Sequence, residues 1–137
     1  MTGLPLEEPM LEALERAGYR ERADPVFLQS FESANLRALR AMTGLRLVQL
    51  LAGPPYDLAA IAGYADGIGP AKTPLNAAFV AEAHAAGLLV HPWTYRREEG
   101  DLGVELPGAF DLGVDGVFCD HPDIAVIVRD TWTEARA

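Results

Sequence analysis

A chain of 137 residues is long enough for one domain and too short for two ordinary ones, and half of it is apolar, which excludes a disordered tail. Twenty acidic against eleven basic residues give a net charge of −9, and Lys72 is the single lysine, so binding to nucleic-acid phosphates is not expected. The one cysteine, Cys119, excludes an internal disulfide and reads as a small core hydrophobe in a strand, and no apolar run has the length of a membrane helix.

The opening "MTGLPLEEPM" is acidic and lacks the basic region and apolar core of a signal peptide, so the chain as written is not expected to be exported. Residues 7–18 predict a helix, with Pro9 in its first turn and Gly18 at its C-terminal cap. "VFLQSF", 26–31, predicts a strand. Residues 33–42 predict a helix with Ser33 as N-cap, and "LRLVQLL", 45–51, a second strand. A short helical piece is expected at 57–63 and an extended segment over "YADGIGP", 64–70. Residues 73–87 predict a helix capped by Thr73 and begun by Pro74. "LLVHPWT", 88–94, predicts a strand, 97–105 a polar loop, and 105–112 a short helix. "VDGVFCD", 114–120, predicts the last strand, and 121–132 a closing helix with Pro122 near its start.

The strands are short and continuously apolar, as in a parallel sheet covered by helices. An open doubly wound sheet and a (β/α) barrel both fit this order. A barrel uses roughly 250 residues for eight units, about 31 each, so this length corresponds to roughly half a barrel. No glycine-rich phosphate loop follows the first strand, which counts against a nucleotide-binding open sheet.

Sites in parallel α/β folds lie at the C-terminal strand ends. There the sequence places Gln29, Ser30, Phe31 and Glu32, then Gln49 and Leu51, then Asp66 and Gly69, then His91, Trp93 and Thr94, then Asp120 and His121. Phe31 and Trp93 suit either rim packing or an apolar wall for a small alcohol. Ser30 equally suits a helix cap. Asp66 more often caps a turn, and His91 reads as a hydrogen-bonded structural histidine rather than a base. His84, His91 and His121 have no zinc-ligand spacing, and no Ser/His/Asp set can be assigned. The carboxylates Glu32, Asp66 and Asp120 share no motif that would gather a divalent cation.

Five motifs carry a family resemblance. "DPVFLQSF", "LRLVQLL", "YADGIGP", "EAHAAGLLVHPWTYR" and "GVDGVFCDHPD" follow the order and spacing of the glycerophosphodiester phosphodiesterases, nearest to the periplasmic, calcium-dependent type. The resemblance covers about 24–130 well and 6–23 more loosely, and the motifs are specific only as a set.

It implies an α/β fold, the C-terminal half of a TIM (β/α)8 barrel with parallel strands and flanking helices, with residues 1–137 forming one partial domain. It also implies metal-dependent hydrolysis of glycerophosphodiesters to an alcohol and glycerol 3-phosphate, using Ca²⁺ or Mg²⁺ in the complete enzyme. The family's His-Arg-Gly, its Glu-x-Asp before a His-Asp, and its Glu-Ile-Lys are absent here. The expectation is therefore a chain with no catalytic or metal residues of its own, binding no ion and inactive alone. The substrate-binding residues implied are Gln29, Ser30, Phe31, Asp66, Gly69, His91, Trp93 and Asp120, with Cys119 standing where the family usually has Thr. The partners expected are a glycerophosphodiester and either a complementary N-terminal half or a second copy. The alternative is a non-catalytic half-barrel serving binding or assembly, and an unrelated open-sheet enzyme ranks below both.

Overall fold

The computed structural model describes residues 6–54, 56–73 and 75–136. Helix α1 (Glu7–Arg16) precedes β1 (Phe27–Ser30), α2 (Ser33–Met42), β2 (Arg46–Leu51), α3 (Leu58–Ala62) and β3 (Gly67–Pro70). Helix α4 (Ala77–Ala85), β4 (Leu89–Val90), α5 (Leu102–Asp111) and α6 (Pro122–Ala135) follow. The four strands lie parallel in the order β1-β2-β3-β4, so each strand–helix unit returns beside the last. Gly18 follows α1 with φ +93°, the left-handed conformation that its expected capping role requires.

The sheet has two unlike faces. Leu28, Leu47, Ile68 and Val90 are buried against Leu36 and Leu39 of α2, Ile61 of α3 and Val80 and Ala83 of α4, and form the main core. The other face carries Phe27, Gln29, Val48, Leu50, Gly67, Gly69 and Leu89, as strand alternation requires. The rings of Phe27 and His91 meet on it at 4.8 Å between centroids, although β1 and β4 are the outermost strands of the sheet. A flat sheet would hold those backbones about 14 Å apart, at about 4.8 Å per strand. The sheet therefore curls toward this face, and Gly67 and Gly69 leave a lane free of side chains in which the rings meet.

Five expectations need correction. Residues 114–120 form no regular strand. They run beside β4 through Asp115 N–H to Val90 C=O (2.9 Å), Phe118 N–H to Pro92 C=O (3.0 Å) and a single bridge between Tyr95 and Cys119. Strand β4 stops at Val90 instead of 94 because Pro70, opposite it in β3, has no N–H for the His91 carbonyl, and pairing resumes only as a single bridge between Ala71 and Trp93. Helix α4 begins at Ala77, because Asn76 rather than Thr73 accepts the Phe79 N–H at 2.9 Å (Pro74 lies outside the described residues). Helix α5 begins three residues before its expected start, because the Asp101 carboxylate caps the Gly103 N–H. Ser33 is the first residue of α2 and not its cap.

A second, smaller core joins Tyr95, Leu102, Leu106 and Ala109 to the inner side of α6. No residue of α6 is fully buried, and Val126 and Ile127 are 45% and 67% exposed. Among the described residues no helix is long and apolar enough to cross a membrane.

Candidate functional site

The strand ends gather around Trp93. Its indole Nε1–H donates to the Gly69 carbonyl at 2.6 Å, its own N–H donates to the Pro70 carbonyl at 3.0 Å, and its carbonyl accepts the Lys72 N–H at 2.8 Å. Three bonds to the end of β3 thus fix one large ring. A Cβ on Gly69 would lie 2.6 Å from Leu50 Cδ2, so only glycine lets Leu50 lie flat beside this carbonyl. Phe31, just past β1, meets Trp93 edge to face at 5.9 Å and 82°.

Between them opens a cleft of about 410 Å³ lined chiefly by Gln29, Phe31, Leu50, Trp93, Phe118 and Asp120. Its walls are chiefly aromatic and aliphatic, and its polar side chains are Gln29, Thr94 and Asp120. That combination suits a small molecule with carbon on one side and hydroxyls on the other. Arg96 Nε lies 3.4 Å from Asp120 Oδ2, so the carboxylate is partnered yet half exposed.

Four of the eight residues expected at the site line this cleft: Gln29, Phe31, Trp93 and Asp120. Ser30 and Gly69 shape it from behind. The Ser30 hydroxyl accepts the Glu32 N–H at 3.0 Å and turns the chain into α2, while Gly69 supplies the carbonyl that holds Trp93. His91 stands apart on the inner face, its ring edge-on to Phe27 and 6.3 Å from Phe118. Burial pushes its imidazole below the ordinary value, with Asp115 opposing and Arg46 adding to the shift.

Asp66 is not at this rim. The strand starts at Gly67, so Asp66 precedes β3 at its N-terminal end, because Tyr64 and Ala65 are used in closing α3. Its carboxylate accepts the Leu47 N–H and an Arg40 N–H, both at 2.9 Å, and pairs with Arg22. Burial raises this carboxyl, yet the Leu47 N–H and the two guanidiniums outweigh it and hold it below the ordinary carboxylate value.

Sequence reasoning missed a set of charges that straps residues 96–101 across the rim. Lys72 Nζ lies 3.3 Å from both Glu99 and Glu105 and 5.2 Å from the Tyr95 ring centroid. The His121 ring nitrogen Nε2 lies 2.8 Å from Glu98 and holds that carboxyl below its usual value. The Tyr95 phenol beneath is pushed up to about 12, mainly by burial and secondly by Glu105. The only signal in the sequence was the isolated Lys72 facing an acidic loop. Cys119 is half-buried and packs against the smaller core, as its reading as a small hydrophobe expected, though not within a strand. Its Sγ lies 3.4 Å from the His121 N–H, and it borders both this cleft and an apolar one of equal volume beside α6.

Among the described residues, no three His, Cys, Asp or Glu side chains stand close enough to hold a metal ion. Asp120 is paired with Arg96, and Asp66 is consumed at the far end of the sheet. The donors present therefore do not fit a Ca²⁺ or Mg²⁺ site.

The model of the glycerophosphoryl diester phosphodiesterase family matches residues 4–124. A glycerophosphodiester phosphodiesterase of Bacillus subtilis is 30% identical over 129 residues, covering 87% of this chain and 42% of that protein. One of Haemophilus influenzae is 26% identical, covering 85% and 45%. A solved structure from Silicibacter pomeroyi named for the same family superposes with a TM-score of 0.69 at 26% identity, over 91% of this chain and 44% of that one. An Oleispira antarctica phosphodiesterase, solved with the product sn-glycerol-3-phosphate, superposes at 0.71 with 20% identity, over 90% and 50%. The parallel strands and outer helices, matched over about half of each neighbour, are those of part of a TIM barrel. The chain spans less than half the length of the curated relatives it matches. With the family model matched over most of its length, the chain belongs to the glycerophosphoryl diester phosphodiesterase family.

Proposed function

We propose that this chain forms the substrate-side wall of a glycerophosphodiester phosphodiesterase, in which a glycerophosphodiester is hydrolysed to an alcohol and glycerol 3-phosphate. The observation that carries the reading is the Phe31–Trp93 corner at the C-terminal strand ends, with Gln29 and Asp120 among its polar groups. Family membership supplies the reaction class. In this reading Phe31 and Trp93 hold the carbon skeleton of the glycerol or alcohol moiety, and Gln29 and Asp120 address its hydroxyls. Ser30 and Gly69 keep the wall in place. The catalytic histidines and the ligands of a Ca²⁺ or Mg²⁺ ion belong to strands outside these residues, so the chain by itself does not turn over. Purified chain incubated with a glycerophosphodiester and either ion should release no glycerol 3-phosphate. Metal-dependent release by the chain alone contradicts the reading.

A second reading is favoured by the inner face. Phe27 and Leu89 lie on the inner face of the sheet and Phe31 just past it, and among the described residues no helix packs on that face and no strand pairs with the outer edge of β1. Such a surface associates readily. In this reading the half-barrel is an assembly module that docks on a complementary half or a second copy. A monomer in sedimentation, with sharp cooperative unfolding, argues against it.

A further inference from the structure

Gln49 is a buried polar side chain on the sheet's outer face, beside the apolar Leu47, Leu51 and Ile68. It stands between Leu47 and Leu51 in β2 and is 6% exposed. Burying a carboxamide is costly unless its hydrogen bonds are met. Here they are met in one direction only. Nε2 donates to the Phe31 carbonyl at 2.9 Å and the Leu50 carbonyl at 3.0 Å, and lies 3.4 Å from the Ser30 carbonyl. Oε1 accepts the Tyr64 hydroxyl at 2.8 Å. The amide orientation is not arbitrary, because carbonyls can only accept and must face the NH₂ group. The Arg37 guanidinium lies 4.3 Å from the Tyr64 ring centroid and holds it from α2.

The Phe31 carbonyl is the group that needs this partner. The ladder between β1 and β2 ends at Ser30 paired with Gln49, so no strand neighbour remains for the next residue. Phe31 itself is 54% exposed, and little packing fixes its ring. We infer that Gln49 and Tyr64 are positioning residues for the Phe31–Trp93 wall, setting the backbone at Phe31 so that its ring meets Trp93 at the cleft. The inference rests on the proposed function for its purpose, but its test needs no ligand, so the two can fail separately.

The test is nuclear magnetic resonance on the full chain. In the unaltered protein, the Gln49 carboxamide protons should be protected from exchange and show cross-peaks to Phe31. Tyr64→Phe removes one hydroxyl and leaves Oε1 without a donor. It should weaken the Phe31–Trp93 ring cross-peaks at least threefold while those between Leu36 and Leu47 persist. The double variant Gln49→Leu with Tyr64→Phe removes the polar pair altogether. It should recover melting temperature relative to Tyr64→Phe and still lose the ring contact. Fast-exchanging Gln49 protons, or ring cross-peaks retained in either variant with only the melting temperature changed, would overturn the inference.

Discussion

At Asp66 a carboxylate has been removed from water and repaid by one backbone N–H and two arginines. Its folded value is depressed, so the unfolded chain binds more protons as the pH falls through the carboxylate range. The stability it contributes is complete above about pH 5 and is lost on further acidification. Asp66→Asn should cost about 2–3 kcal/mol near neutral pH by leaving its donors imperfectly paired, and it should flatten the acid limb of urea midpoints. His91 acts in a higher window. Its imidazole is depressed by burial, so between that value and about pH 6.5 the unfolded state again binds more protons. Stability should fall as the pH drops below about 6.5, and His91→Asn should remove that component, read as urea midpoints at pH 7.5 and 5.5. Neither role was readable from residue type. A carboxylate in "YADGIGP" and a histidine in "VHPWT" look alike whether they face a rim or a core, and placement by one or two residues along a strand decides which.

Elements were more legible than sites. Helices α1 and α2 and strands β1 and β2 follow their apolar periodicity, because their burial is set by neighbours in sequence. The misplaced starts of α4 and α5 came from caps: Asn76 caps α4 in place of the expected Thr73, and Asp101 begins α5 three residues before the expected 105. Residues 114–120 read as a strand because they are apolar, yet their partner contains Pro92, and a ladder needs donors on both sides. The Trp93–Gly69 bond could not be read at all, since it joins an indole to a backbone carbonyl 24 residues away. Gly69 also lies against Leu50, where a Cβ would come within 2.6 Å of Cδ2. Gly69→Ala should push Leu50 aside, crowd the His91 carbonyl and cost about 1–3 kcal/mol. In a Trp132→Phe background its Trp93 emission should shift red as the indole loses its anchor, and unchanged emission would count against that anchor.

For the molecule as a whole, the curled sheet and its covered outer face account for how 137 residues form a core, while the inner face and α6 stay only partly covered. The length arithmetic pointed to about half a barrel, and the matched share of each neighbour agrees. The central claim concerns what this part holds, and a titration of the chain with sn-glycerol 3-phosphate tests it most directly. Followed by resonance shifts, it should move the Trp93 indole N–H and the Phe31 ring saturably and leave Trp132 unmoved. Shifts absent from Phe31 and Trp93, or centred on the cleft beside α6, would contradict the account.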